Sequence, residues 1–228
     1  MSKRKVKNLV TAYTFLLPNF VGFLLFTLIP IVCSMGLSVM EWDSANPMKF
    51  VGLENFERLF KDETFIISLK NTIYYSVFTV PLTMAAALGL AMILNQKLKG
   101  INIFRTVFFF PHVASLVAVA VVWNLLFHPT LGPINNILRA IGVANPPGWT
   151  STIEWAMPVI IIVSIWKSMG YYMILYLSGL QAIPRELYEA AKVDGANAFQ
   201  RFKNITLPML TPTTFFVSIM LTIACFKV

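Results

Sequence analysis

The sequence is short of charged residues and of residues that bind metal ions. Only 12% of its 228 residues are charged, against about a quarter in a typical soluble domain. Its two cysteines, Cys33 and Cys225, both lie in apolar segments, which argues against a disulfide framework or a thiolate metal site. The two histidines, His112 and His128, stand apart from each other, so we expect no metal site.

A phosphate-binding loop of the form G-x-x-x-x-G-K-[ST] is also missing from the sequence. We therefore expect no catalytic residue and no enzyme activity in this chain. What the sequence does have is hydrophobic side chains, which make up 57% of it and give a mean hydropathy of +0.71. Such a chain is solvated mainly by lipid.

Five long apolar runs are interrupted only by His112 and Lys167. Each run exceeds the roughly 18 to 20 residues needed to cross a bilayer core. We predict an all-α integral membrane protein, a polytopic helical bundle that forms one transmembrane domain over residues 1–228. The predicted spans cover about residues 10–38, 69–94, 105–127, 155–180 and 205–228.

The two ends of the chain differ in polarity. The first apolar run follows a basic head, is too long for a signal peptide and lacks a small-x-small cleavage site, so we predict a retained first span. The fifth run ends in "ACFKV" without a polar tail. We therefore expect a sixth span to be missing at the C-terminus.

The net charge of +8 reports membrane topology rather than nucleic-acid binding. With the N-terminus in the cytoplasm, eleven lysines and arginines fall in the inner segments and four in the outer loops. Membrane proteins show this bias towards positive charge on the inside. In the outer loops, "LENFERLF" and "GPINNILRAIGV" place apolar residues at helical spacing, so we predict two short amphipathic helices.

A polar segment, residues 181–204, separates the fourth and fifth predicted spans. Pro184 and Glu186 suit the first turn of a helix. Gly195 can adopt a positive φ and end that helix, and "AFQRFKNI" predicts a second helical piece. We predict two short helices joined by a bend at the cytoplasmic surface. The alternative is a solvated connecting loop that only supplies positive charge.

The residue spacing in this region resembles a known motif. Glu189-Ala190-Ala191, Gly195 after three further residues, and Ile205-x-Leu207-Pro208 after nine more are similar to the EAA motif of permease subunits of ATP-binding-cassette importers. Two more stretches, "FVGLENFERLFKDETFIISLKNTIYYS" and "FRTVFFFPHVASLVAVAVVWNLLF", resemble the carbohydrate-uptake branch, such as the permeases for maltose, other oligosaccharides and glycerol phosphate.

The resemblance implies a function and a set of partners. The chain would form, with a second homologous permease, the path for a sugar or oligosaccharide delivered by an extracytoplasmic solute-binding protein. Two ATPase subunits would bind ATP-Mg and dock on the polar loop, while this chain, in the cytoplasmic membrane of a bacterium or archaeon, would need no cofactor. The implied coupling residues are Glu189, Ala190, Ala191, Asp194, Gly195, Leu207 and Pro208.

A polar stripe runs down the fourth predicted span. Ser164, Lys167, Ser168 and Tyr171 lie at i, i+3, i+4 and i+7. A charge at this depth is expensive and suggests a functional role, so these residues are candidates to line the substrate path. The alternative is that Lys167 pairs with a carboxylate or a backbone carbonyl of another helix. We expect His112 to be a structural histidine facing the bundle.

Two other classes of function stay open at this stage. An ion-gradient-driven secondary transporter would ordinarily carry carboxylates within its spans, and these apolar runs contain no Asp or Glu. A non-transporting scaffold subunit of a membrane complex is the second alternative. The importer interpretation alone requires an ATPase partner.

Overall fold

The computed structural model describes residues 3–96 and 100–227, nearly all of which are helical or in short connections. The chain divides into two compact units, residues 1–69 and 70–228. Two of the eleven bases expected in the inner segments, Lys97 and Lys99, lie outside the described residues, as does Val228, the last residue of the fifth predicted span.

The first unit opens with a long apolar helical run. Helix α1 (Lys3–Phe23) passes through a π-helical turn (Leu24–Leu28) into α2 (Ile29–Leu37). Its apolar part, Val10–Leu37, is 28 residues long, enough to cross a membrane, and is not buried within the chain. Pro18 lies inside α1 and Pro30 in the first turn of α2. Helices that cross a membrane tolerate proline more readily than soluble ones do.

A polar connection follows in the same unit. Strands β1 (Met40–Glu41) and β2 (Lys49–Phe50) pair antiparallel, and helix α3 (Glu54–Lys61) confirms the helix predicted from "LENFERLF". Hydrogen bonds and ion pairs from Arg58 to Glu54 (2.6 Å) and Glu41 (3.2 Å) raise the pKa of the Arg58 guanidinium above its usual value.

The second unit is built on long helices. Helix α4 (Glu63–Leu94) begins before the division and ends in this unit, and α8 (Ile153–Ala182) is nearly as long. Between them lie α5 (Ile101–Val113), α6 (Leu116–Leu126) and α7 (Pro133–Ala140). The chain then continues through α9 (Arg185–Val193), α10 (Ala198–Arg201), a π-helical turn (Phe202–Thr206), α11 (Leu207–Met209) and α12 (Thr211–Cys225).

Two of the predicted spans are not straight helices. Helices α5 and α6, which cover the predicted span 105–127, meet at 99°, and the helical segment Ala198–Met209 meets α12 at 65°. The first bend arises because Ala114 and Ser115 adopt extended backbone conformations and interrupt the helical hydrogen bonds. Hydropathy alone could not reveal this break, since both sides of it are equally apolar.

Helix α8 lies at the centre of the second unit. Its buried residues Met173 and Tyr176 pack with Ala87 and Ala91 of α4 and Val217 of α12. Gly170 brings α8 against α5, since a Cβ added there would overlap the carbonyl oxygen of Phe108. Gly179 brings it against α12, where an added Cβ would lie 2.7 Å from Oγ1 of Thr213. Small residues permit this kind of close helix approach in membranes.

The connection between α6 and α8 is an ordered structure. Asn135 is 1% exposed, and its Nδ2 donates to the carbonyl oxygens of Pro129 (2.8 Å) and Pro147 (3.1 Å). The Nε1 of Trp149 donates a hydrogen bond to Oδ1 of Asn135. Helix α7 starts at Pro133, and Gly142 follows it with a φ of +96°. These positions confirm the helix predicted from "GPINNILRAIGV".

Candidate coupling loop and transport path

The polar loop contains a well-terminated helix, α9. Pro184 occupies the N-cap position, just before the first turn and without a side-chain cap hydrogen bond, while Glu186 lies in the first turn and Lys192 in the last. An acidic first turn and a basic last turn both favour the helix dipole. The loop is therefore helical where the sequence predicted it to be, and its ends are set by local signals.

Gly195 ends α9 as predicted. Its φ is +79°, and its N–H donates to the carbonyl of Lys192 (3.1 Å), while the N–H of Ala196 donates to the carbonyl of Ala191 (2.8 Å). This pair of bonds is a Schellman motif, which satisfies carbonyls that the helix end would otherwise leave unpaired. A Cβ at position 195 would meet nothing within 4 Å. Glycine is needed here for its backbone conformation rather than for space.

The second helical piece, α10, carries a side-chain cap at its start. Asn197 and Gln200 form a reciprocal capping box at the start of α10. The guanidinium of Arg201 donates to the carbonyl of Ala196. These bonds hold the turn between the two helices, so the segment is an ordered helix–turn–helix and not an unstructured connection.

One hydrogen bond joins α9 to the helical segment that continues towards α12. The hydroxyls of Tyr188 and Thr206 lie 2.9 Å apart. Tyr188 also packs against the buried core, and Thr206 is buried. The bond therefore ties α9 to the start of the last helical segments.

The predicted coupling residues lie mostly on the exposed side of this loop. Glu189, Ala190, Asp194, Gly195, Leu207 and Pro208 are exposed, and Ala191 is half-buried. Sequence reasoning missed two apolar neighbours, Val193 at 88% and Phe199 at 70% exposure. Their presence in an otherwise polar segment was the available signal. Large exposed apolar side chains beside polar ones are typical of a protein contact surface.

The predicted polar stripe on α8 is half-buried along its whole length, at Ser164, Lys167, Ser168 and Tyr171. Lys167 does not lie free within it. Its Nζ donates to the carbonyl oxygens of Pro111 (3.3 Å), His112 (3.1 Å) and Ala114 (3.0 Å). These are carbonyls at the end of α5, where the break leaves them without helical partners. The geometry favours the alternative of pairing with a backbone carbonyl, and a path role for Lys167 stays a prediction.

Aromatic rings flank the stripe on both sides of Lys167. The rings of His112 and Tyr171 are stacked, with centroids 4.7 Å apart and planes 15° apart. Trp166 meets Trp123 edge to face at 5.4 Å. The His112 ring stacks on Tyr171 of α8, but the residue is exposed, so a purely structural role for it stays a prediction. Sequence reasoning did not single out Trp166 or Trp123 for this surface.

Metal-binding groups are not brought together. Within residues 3–96 and 100–227, no three His, Cys, Asp or Glu residues lie close enough to hold a metal ion. The arrangement offers hydroxyls, aromatic faces and one engaged ammonium group.

Comparison with known proteins identifies the chain. The family described as "Binding-protein-dependent transport system inner membrane component" matches residues 80–227. The chain belongs to this family. It is a multi-pass membrane protein, and the predicted all-helical permease fold is confirmed.

Curated relatives cover most of this permease. A probable ABC transporter permease of Bacillus subtilis, YesP, is 41% identical over 96% of this chain and 71% of the relative. The lactose transport permease LacF of Rhizobium radiobacter is 40% identical over 94% and 72%. The trehalose/maltose transport permease MalF of Thermococcus litoralis is 36% identical over 100% and 77%. These relatives confirm the resemblance to the carbohydrate-uptake branch.

Solved structures agree with this placement. A bacterial ABC transporter involved in import of the acidic polysaccharide alginate has a chain that matches with a TM-score of 0.80 and 29% identity, over 96% of this permease and 74% of that chain. The alginate transporter in complex with an alginate pentasaccharide-bound periplasmic protein matches with a TM-score of 0.78 and 30% identity, over 92% and 70%. Membership of this family removes the ion-gradient-driven transporter as an alternative.

Proposed function

We propose that this permease forms, with a second homologous permease, the membrane path of an ATP-driven importer for a sugar or oligosaccharide. An extracytoplasmic solute-binding protein delivers the sugar, and two ATPase subunits that bind ATP-Mg drive the cycle. The observation that carries the proposal is the exposed polar helix α9, tied to the last helical segments through Tyr188 and Thr206, in a chain of the binding-protein-dependent permease family. Relatives named for lactose and for trehalose/maltose support the cargo class.

The coupling contact lies on the exposed side of α9 and the turn after it. Glu189, Ala190, Ala191, Asp194 and Gly195 form the surface that the ATPase subunit grips, with Leu207 and Pro208 at the base of the last helical segments. Val193 and Phe199 add the apolar contacts that such an interface needs. This assignment places the loop and the N-terminus in the cytoplasm.

The substrate path runs along the stripe on α8. Ser164 and Ser168 supply hydroxyls that can exchange hydrogen bonds with sugar hydroxyls. Tyr171, stacked on His112, supplies a flat aromatic surface for the apolar face of a sugar ring. Lys167 positions the end of α5 beside this stripe, because its ammonium group already donates to three carbonyl oxygens there.

The test of this function is uptake by the complete transporter. The permease is reconstituted in proteoliposomes with its partner permease, two ATPase subunits and its binding protein, and a panel of labelled sugars is supplied outside. We expect ATP-dependent accumulation of at least one sugar, absent when the binding protein or ATP is left out. A complex that assembles without an ATPase, or one that accumulates solutes from an ion gradient alone, would overturn the proposal.

The path assignment has its own test in the same vesicles. Replacement Tyr171→Ala should weaken uptake while the ATPase subunits stay bound, since Tyr171 is remote in sequence from the coupling loop. The matched control is Ile174→Ala, an exposed apolar residue of the same helix. Equal effects of both replacements would remove Tyr171 from the path.

A further inference from the structure

A cavity of about 530 Å³ lies behind the coupling helix. It is lined by the ends of α4 and α8 and by the starts of α5 and α9. Its lining residues are Asn95, Gln96, Ile101, Arg105, Leu180, Gln181, Ile183, Arg185 and Tyr188. Neither the coupling contact nor the substrate path uses this space.

The lining of the cavity is positively charged among the residues that the structure describes. Arg105 and Arg185 line it, and no Asp or Glu does. Among the described residues, the ion pairs all lie within residues 41–61, at Arg58 and Lys61, so neither lining arginine has one. Residues 97–99, outside the described part, are Lys, Leu and Lys and bring no carboxylate side chain.

Arg105 is the more confined of the two arginines. Its Nε is buried and has no hydrogen-bond partner in the described part of the chain. A buried donor of a charged group that stays unpaired costs free energy. An anion in the cavity would supply the missing acceptor, and planar guanidinium groups suit phosphate oxygens in particular.

The rest of the lining matches a lipid headgroup better than a free anion. Asn95, Gln96 and Gln181 offer neutral polar groups, whereas Ile101, Leu180 and Ile183 are apolar. A phosphate with a glycerol and the start of its acyl chains presents this same combination of polar and apolar surface. Basic pockets between membrane helices on the cytoplasmic side are typical sites for anionic headgroups.

The placement of α9 separates this cavity from the ATPase contact. Tyr188, half-buried, lines the cavity and bonds to Thr206, whereas Glu189 and Val193 of the same helix are exposed. An ATPase subunit on the exposed side of α9 therefore leaves the cavity on the membrane side of the helix. Its occupant would contact the residue that links α9 to the last helical segments.

We propose that this cavity binds the phosphate-bearing headgroup of an anionic phospholipid of the cytoplasmic leaflet, held by Arg105 and Arg185. The position in that leaflet rests on the proposed function, which sets the orientation of the loop. The bound lipid fills the space behind α9 and supports Tyr188. The site is thus a lipid contact at the element that receives the motion of the ATPase.

The test measures lipid retention directly. The complete transporter is reconstituted in nanodiscs of phosphatidylcholine with phosphatidylglycerol, extracted in mild detergent and analysed by native mass spectrometry for retained phosphatidylglycerol. We expect retention by the unmodified complex, and a decrease of about fivefold in Arg105→Gln and in Arg185→Gln, the effect of one basic residue near an anionic lipid. Arg105→Lys, which keeps the charge, should retain most of the lipid. Lys203→Gln, an exposed base of the same loop, is the matched control and should retain it fully.

Other occupants give other results. Unchanged retention in Arg105→Gln, or an equal decrease in Lys203→Gln, would overturn the lipid site. Nanodiscs of phosphatidylcholine alone, with and without inorganic phosphate, identify a free anion: if phosphate alone stabilises the unmodified complex and not Arg105→Gln, the lipid assignment is wrong. Loss of the ATPase subunit from Arg185→Gln with unchanged lipid retention would assign the arginine to a protein contact. Retention is read without transport, so a failure of the proposed function appears separately in the uptake assay.

Discussion

The hydroxyl oxygens of Tyr188 and Thr206 lie 2.9 Å apart, although 18 positions separate the two residues in the sequence. The bond connects α9 to the π-helical turn that leads towards α12. Thr206 is buried and Tyr188 packs against the buried core, so the bond is partly shielded from water. A hydrogen bond in such surroundings is electrostatically stronger than one in water.

Removal of this bond should loosen the transmission between ATPase and membrane helices. Tyr188→Phe deletes the hydroxyl and keeps the ring, at an expected cost of about 0.5–1.5 kcal/mol. We expect more ATP hydrolysed for each sugar imported, measured by parallel phosphate-release and uptake assays. Thr206→Val should act alike, and the double variant should be no worse than either single one. Strictly additive effects would show that the two hydroxyls do not act through each other.

The positive φ of Gly195 predicts a strong dependence on residue type. Gly195→Val should uncouple uptake from hydrolysis or release the ATPase subunit, since a residue with a Cβ loses about 1–2 kcal/mol in a left-handed conformation. Gly195→Asn should be milder, because Asn tolerates this region and nothing lies within 4 Å of an added Cβ. The measurement is the ATPase retained on purification together with the uptake rate. If valine and asparagine behave equally well, the turn does not require glycine.

Gly170 sets the distance between α8 and α5. Gly170→Ala should lower the thermal stability of the purified complex by roughly 1–3 kcal/mol, because its Cβ would overlap the carbonyl oxygen of Phe108 and force the helices apart. Gly89→Ala is the control, as a Cβ there meets nothing within 4 Å. A thermal shift of the same size at both positions would contradict the close helix contact.

Lys167 offers a test between its two roles. Lys167→Met keeps the length of the side chain but removes its three hydrogen bonds to the carbonyl oxygens at the end of α5. A hydrogen bond that involves a charged group contributes about 1.5–3 kcal/mol to stability. We expect a lower unfolding temperature and an unchanged preference among sugars. Lys203→Met, an exposed lysine, is the control. Normal stability with an altered sugar preference would return Lys167 to the substrate path.

The polar connection between α2 and α3 should respond to acid through Asp43. Its carboxylate accepts hydrogen bonds from the backbone N–H and side-chain amide of Asn46 and from the N–H of Ala45, which lower the pKa of Asp43 below its usual value. The ionised carboxylate stabilises this connection fully above the ordinary Asp pKa of about 3.9. This stabilisation is lost as the pH falls through the lowered pKa of Asp43. Hydrogen exchange at Ala45 and Asn46 should therefore be slow near neutral pH, and faster there in Asp43→Ala. Equal protection in both chains would rule out a role for the carboxylate.

Features with local causes were predictable from the sequence. Gly195 was expected at a positive φ and Pro133 at the start of a helix, and both are found there. Each depends on the conformational preference of one residue and its immediate neighbours, which a sequence contains in full. The family, too, was recognisable from the spacing around Glu189 and Gly195, and the match over residues 80–227 confirms it.

Features that depend on distant partners were not predictable in this way. Lys167 was left with two roles, because its acceptors at Pro111, His112 and Ala114 are more than 50 positions away. The bend of 99° between α5 and α6 was not predicted either, because it too depends on a partner that is distant in the sequence. The carbonyls that the bend frees are satisfied by a side chain of another helix, and hydropathy does not record such an arrangement.

The sequence by itself determined that this chain is a membrane protein, that α7 and α9 are bounded by a proline and a glycine, and that residues 181–204 form a polar segment. These properties follow from hydropathy and from backbone preferences that act within a few residues. The tertiary structure decided that Tyr188 meets Thr206, that Lys167 caps a broken helix and that Arg105 and Arg185 line one cavity. Each of these depends on which helices pack together, because polar groups in an apolar surrounding must find partners wherever the packing brings them.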